Sequence, residues 1–280
     1  MNSLLDRFEE IWVVDFEYQS TDGELPVIHC MVAREVHSLR LIRLFEDELS
    51  SLGKPPFEIG ERSLVVGFYL PAEYGCFLQL GWNRPINSLD LYTEFRWLRN
   101  GIKDGKGRGL VDALSYFGLD DSIPDEKGEW RTLAIRGGPF SENERSGLLA
   151  YCQQDVDATV KLLAEMIFPH PVDPGKRERS LQHALLRGHY SWAVAAIERT
   201  GVLIDTETLG RLMQNWEILK LRMITRIDTE GVYVDGKFNT KRFETFLAKN
   251  KIPWPRLETG RLSLTDDTFR EQARSHPTLI

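Results

Sequence analysis

The 280-residue chain contains no apolar run approaching the roughly 20 residues of a membrane span, so a membrane-embedded protein is not expected. Cysteine is scarce. Cys30, Cys76 and Cys152 are odd in number, widely spaced and outside any C-x-x-C pattern, which argues against a disulfide scaffold or a zinc finger. The six histidines are scattered without metal-ligand spacing. The opening residues MNSLLDRFEE lack the basic flank and apolar stretch of a secretion signal, and a reducing, cytoplasmic location is expected. There is no internal repeat, no low-complexity tract and no basic surplus. The formal net charge of −7 by itself opposes a protein that coats nucleic acid by neutralising phosphates.

The present residues are those of an ordinary globular chain, 42% hydrophobic and 28% charged, with length enough for two packed domains. The net charge hides an asymmetry: residues 1–170 hold 28 acids and 17 Lys/Arg, whereas residues 171–280 hold 14 acids and 18 Lys/Arg. The break coincides with Phe168-Pro169-His170-Pro171-Val172-Asp173-Pro174-Gly175, which cannot continue a helix and sets the expected boundary between domains 1–170 and 171–280. Before it, Ile11–Glu17, Val27–Val36, Leu39–Phe45 and Ser63–Phe68 read as strands. Residues 142–166 read as a helix, opened by a Ser141/Glu144 capping box and striped by Leu149, Cys152, Val156, Val160 and Leu163. These predict a mixed α/β sheet flanked by helices. Past the boundary, Leu181–Glu198 and a second run capped by Asp205, with Leu209, Leu212, Met213, Trp216, Met223 and Ile227, predict a smaller, mainly α domain with those side chains as helix core.

Acids stand where they are costly. In Trp12-Val13-Val14-Asp15-Phe16-Glu17 two carboxylates share one face of an apolar strand, an arrangement suited to a divalent cation, or else to a solvated strand face. Tyr151 and Asp155, four apart on the 142–166 helix, pair a phenol with a carboxylate, or else mark a core edge with a solvated acid. Asp157 falls on another face, toward solvent or a cap. Glu73 lies in the first turn of a helix beginning near Pro71, as a functional acid or as a charge favoured by the helix N-terminus. Asp90, in Ser88-Leu89-Asp90-Leu91-Tyr92, is a further acid in an apolar strand-like setting. Lys103, Lys106 and Arg108 offer cations on the glycine-rich loop 101–109, suited to phosphates or to plain solvation. Phe16, Tyr69 and Tyr74 are candidates for stacking on bases or for the core.

Together and in this order these segments resemble the 3′-to-5′ proofreading exonuclease domain of family A, DNA polymerase I-like, DNA polymerases. Asp15 and Glu17 resemble its first motif, and Tyr151 with Asp155 its third, in the tyrosine-bearing form. Aligning Val66-Gly67 with the second motif places Tyr69 where the family has Asn and Glu73 where it has Asp, with Asp90 as the fallback carboxylate. Ala196–Asp205, Phe238–Arg242 and Gly260–Thr265 are similar to the start and thumb of the same family's polymerase region, with no room for palm and fingers before Ile280.

The resemblance implies a ribonuclease H-like sheet followed by a thumb-like region, and two-metal hydrolysis with Mg²⁺ or Mn²⁺ (two ions). It implies that Asp15 bridges the ions and that Glu17 and Asp155 hold the one that activates water. Glu73 helps hold the other, and Tyr151 orients the water. Phe16, Tyr69, Lys103, Lys106 and Arg108 are the substrate-binding candidates. The implied partners are single-stranded DNA or DNA 3′ ends, and palm and fingers in the same longer chain or a separate one. The altered second motif keeps open an inactive exonuclease fold that binds DNA or docks a polymerase. An RNA-trimming exonuclease is the nearer alternative.

Overall fold

A computed structural model of the chain describes residues 5–21, 23–103, 105, 107–120, 127–167 and 174–276. The first strand, β1 (Glu10–Gln19), is the middle of a five-stranded sheet, with β2 (Val27–Glu35), β3 (Leu41–Phe45), β4 (Ser63–Gly67) and β5 (Ser88–Asp90) in the order β3-β2-β1-β4-β5. β1, β2 and β3 pair antiparallel, whereas β4 and β5 run parallel to β1. This is the mixed sheet that the ribonuclease H-like resemblance implies.

Both faces of β1 are covered, and the strand alternates between two cores. Ile11 and Val13 enter one core with Cys152, Val156 and Leu163 of α6 (Glu142–Ile167). Trp12, Val14 and Phe16 enter the other with Leu70, Tyr74 and Phe77 of α2 (Leu70–Gln79). Near-continuous burial of this kind is what a central strand between two helix layers requires. α6 spans the length the sequence pattern predicts, and its capping box forms, the Ser141 N–H donating to Glu144 Oε2 at 2.7 Å.

The chain divides into compact units 1–201 and 202–280, later than the expected boundary at 170. The difference is α7 (Pro174–Thr200), which packs on α2, on β5 and on α3 (Leu91–Leu98) of the sheet unit. Arg187 of α7 forms a two-pronged ion pair with Glu94 of α3, 2.6 Å on each prong. Gly188 brings the helix backbone against β5, where any Cβ would collide with the Ser88 carbonyl.

The 202–280 unit contains α8 (Thr206–Ile227), a two-stranded ribbon of β6 (Tyr233–Val234) and β7 (Lys237–Phe238), α9 (Thr240–Lys249) and α10 (Asp266–Ser275). Its core joins Val232, Phe243, Phe246, Leu247, Ile252 and Leu262. The Met213, Trp216 and Met223 stripe is not core as expected: α8 has no buried residue, and Met213 is 70% exposed. Among the described residues no helix is long and apolar enough to cross a membrane.

Candidate metal centre

The site begins where β1 outruns its parallel neighbour. Pairing of β1 with β4 ends at Val13 and Val66, and the chain leaves β4 at Gly67. Gly67 gives a close-packed exit, where a Cβ would lie 2.7 Å from Leu70 Cδ2 and displace that side chain. Asp15 and Glu17 therefore lie on the part of β1 that β4 does not cover. On the other edge the pairing with β2 shifts between Glu17 and Tyr18, a bulge that ends the regular ladder just after the second acid.

Asp15 and Glu17 are half-buried and share the β1 face that meets α6, as their spacing predicts. Phe16, between them, points the other way. It is buried against Phe77 and Trp82, so this substrate-binding candidate is corrected to a core residue. Tyr74 is likewise core, its hydroxyl donating to Ser88 Oγ at 2.5 Å.

α6 supplies the second side. Tyr151 is buried and Asp155 half-buried, one helical turn apart. Burial, then the charges of Asp155, Glu17 and Asp15, push the Tyr151 hydroxyl far above its ordinary value, so it stays protonated beside the acids. Cys152, read from its spacing as part of the apolar stripe, lies deeper. Its single S–H is shared between Asp15 Oδ2 and the Asp15 carbonyl oxygen, each 3.3 Å from Sγ. One donor atom each from Asp15, Glu17 and Cys152 falls within a 4.8 Å cluster.

α2 supplies the third side. Its N-cap, Tyr69, has left-handed backbone angles (φ 76°, ψ 58°), which turn the chain so that Glu73 enters from the first helical turn. Glu73 is 3% exposed. Burial first, then the charges of Asp15 and Glu17, push its carboxyl well above the usual range, only partly offset by the Phe16 N–H. Its Oε2 is buried without a hydrogen-bond partner. Burial and the neighbouring Glu73, Cys76 and Asp15 likewise raise the Tyr18 hydroxyl.

A carboxylate oxygen buried without a partner, beside two further carboxylates, fits a divalent cation better than any role in an apolar core. The structure thus brings together Asp15, Glu17, Glu73, Tyr151 and Asp155. Asp90 is elsewhere: it caps α3, its Oδ1 accepting from the Tyr69 and Thr93 N–H groups and its Oδ2 from Ser191 Oγ. With both oxygens so engaged it is a capping residue and not the fallback ligand. Asp157 is paired with Arg34 at 2.5 Å. Tyr69 is 41% exposed and meets Tyr92 edge to face. Lys103 is exposed, Arg108 donates to the Gly107 and Ile102 carbonyls, and Lys106 lies outside the described residues.

No protein-family model and no curated protein sequence matches the chain. Among solved structures it is similar to the EXO domain of Aedes aegypti Nibbler, at 13% identity and a TM-score of 0.41, covering 64% of this chain and 88% of that one. It is also similar to Escherichia coli RNase D, an exoribonuclease involved in structured RNA processing, at 15% identity and a TM-score of 0.41, covering 98% of this chain and 69% of that one. Likenesses this distant carry no weight for the site, which stands on its own geometry.

Proposed function

We propose that the chain is a divalent-metal-dependent 3′-to-5′ exonuclease that hydrolyses the terminal phosphodiester bond of a DNA 3′ end. The observation that carries this reading is the convergence of Asp15, Glu17, Glu73, Tyr151 and Asp155 from β1, α2 and α6, with a buried Glu73 oxygen left unpartnered. Asp15, Glu17, Glu73 and Asp155 would hold two ions, Mg²⁺ or Mn²⁺, Asp15 being the ligand common to both. Such ions supply Lewis acidity toward phosphoryl oxygens and a water of lowered pKa. Tyr151, held protonated beside Asp155, would orient a water by its hydroxyl. Tyr69, exposed at the N-terminus of α2, offers a ring to the substrate in place of the family's amide, and Lys103, Lys106 and Arg108 offer charge to the phosphates.

The preference for DNA, and a thumb-like role for residues 202–280 beside palm and fingers on a longer or separate chain, follow from the sequence resemblance alone. The test is digestion of 5′-labelled single-stranded DNA and RNA side by side with Mg²⁺. A 3′-shortened ladder on DNA that disappears in Asp15→Ala with Asp155→Ala is expected. A ladder on RNA alone would reassign the substrate. No ladder on either strand, or an unchanged ladder in the double variant, would overturn the catalytic reading, and retained DNA binding would then identify an inactive binding module.

A further inference from the structure

We propose that the outer side of α3 is a binding track for a single polynucleotide strand, contacted by Tyr92, Arg96 and Trp97 and leading from the metal centre to the loop 101–109. This deepens the exonuclease reading, and it rests on that reading for which end of the strand meets the metals. β4 and β5 run parallel to β1, and ligands of open α/β sheets bind beyond the carboxyl ends of such strands. Asp15 and Glu17 lie beyond that end of β4, and α3 leaves β5 at the same end, directly after Asp90. Asp90 also ties the start of α3 to the N–H of Tyr69, the N-cap of the helix that carries Glu73. α3 therefore begins at the rim of the centre. Its eight residues span about 12 Å and end just before the glycine-rich loop that carries Lys103 and Arg108.

Rings and a cation follow one another along this side. The exposed Tyr69 meets the Tyr92 ring edge to face, with centroids 5.1 Å apart. One turn on, the Arg96 guanidinium lies 5.5 Å from the Tyr92 centroid, and no carboxylate among the described residues pairs with it. Trp97 is next and is 58% exposed. The Arg187 guanidinium stands 5.2 Å from its ring and is itself fixed by the two-pronged pair with Glu94, so the indole is held and not loose. One exposed ring on a surface needs no explanation. Three rings in succession, with an unpaired cation among them, match the chemistry that holds a single strand: bases stack on aromatic faces while cations meet phosphates. Every base has such a face, so the track reads no sequence.

Binding of a 5′-fluorescein-labelled oligo(dT) of about 12 nucleotides to the full chain in EDTA, read by anisotropy, tests the track apart from hydrolysis. Trp97→Ala and Tyr92→Ala are each expected to weaken binding at least about fivefold, the lower end of what one stacked base is worth, and Trp97→Phe and Tyr92→Phe to restore it. Arg96→Ala is expected to lower the slope of log Kd on log salt by about 0.7, the value of one phosphate contact on a single strand. Arg62→Ala, next to the start of β4 at the opposite end of the sheet, should leave both unchanged. With Mg²⁺, KM for the oligonucleotide should rise in Trp97→Ala at constant kcat, while hydrolysis of the dinucleotide is unaffected. A wild-type chain that does not bind the oligonucleotide, or alanine variants that bind it as wild type does, overturns the track, and a 3′-shortened ladder then leaves the exonuclease reading standing. Binding that weakens as expected, in a wild-type chain that hydrolyses nothing, overturns the exonuclease reading and keeps the track. An equal rise in KM for the dinucleotide puts Trp97 at the scissile bond and overturns a path leading away from it.

Discussion

Replacing Glu73 by Gln separates the two readings of that residue by sign. If Glu73 is a ligand held ready for a cation, the metal-free protein carries a buried carboxylate with one unpartnered oxygen next to Asp15 and Glu17. A buried polar atom without a partner costs about 1–3 kcal/mol, and more when charged. Gln keeps the shape, keeps an oxygen for the Phe16 N–H, and turns an amide donor toward the neighbouring carboxylates. The variant should therefore be more stable than wild type in EDTA by about 1–3 kcal/mol. At about 2–4 °C per kcal/mol for a unit of this size, the rise is about 2–12 °C. The pH dependence has a definite sign. Burial raises the Glu73 carboxyl above 4.5, so folding takes up a proton above that pH, and wild-type stability is lost relative to Gln as pH rises through the gap. Under saturating Mn²⁺ the order should reverse, since at a hundredfold excess over Kd the wild type gains about 2.7 kcal/mol that the variant largely forgoes. Thermal unfolding with EDTA or Mn²⁺ measures all of this. If Glu73→Gln instead loses stability in EDTA, by the roughly 0.3–1 kcal/mol that an acid contributes at a helix N-terminus, Glu73 is a capping charge and the metal reading of it is refuted.

Gly188→Ala should destabilise the 1–201 unit by about 1–3 kcal/mol or more, because the added Cβ meets the Ser88 backbone and not a flexible side chain. A neutral effect in a denaturant melt would mean that α7 does not pack on β5. Tyr69→Asn should be tolerated, as Asn accepts the left-handed backbone, whereas Tyr69→Val should cost a further ~1–2 kcal/mol at the same position. Equal stabilities of the two variants would contradict the strained turn. The Ser141 N–H, Arg136 and the Ser141 hydroxyl hold the Glu144 carboxyl down to about 2, so its contribution to folding is full above 4.5 and lost as the pH falls toward about 2. Melts of wild type and Glu144→Gln from about neutral to about pH 3 should converge as the pH falls, and parallel curves would dismiss the capping box.

Strand alternation and helical spacing are local rules, and the parts of the site that obey them were legible. Asp15 and Glu17 two apart, and Tyr151 and Asp155 four apart, face where their spacing says. The same alternation applied strictly would have excluded Phe16, since a residue between two same-face acids must point into the opposite core. Cys152 escaped for the converse reason. It satisfies the apolar period of α6, and periodicity cannot distinguish a thiol that fills space from one that reaches a carboxylate on another strand. Asp90 misled because capping and ligation ask the same thing of a sequence, an acid at the end of an apolar strand. Only the positions of Tyr69, Thr93 and Ser191 around it decide between them.

The domain boundary and α8 are the long-range cases. The proline-rich stretch 168–175, of which 168–173 lie outside the described residues, reads in sequence as a helix break but carries no information on which core the next helix joins, and that is decided by Arg187 finding Glu94 and by Gly188 fitting β5. The Met213, Trp216 and Met223 stripe has the composition of a core, yet composition states only that a face is apolar. Burial needs a partner surface, and no residue of α8 is buried. The acid surplus of residues 1–170 belongs to the same argument. Four of its 28 acids, Asp15, Glu17, Glu73 and Asp155, converge on the site, where two divalent cations would neutralise their charge.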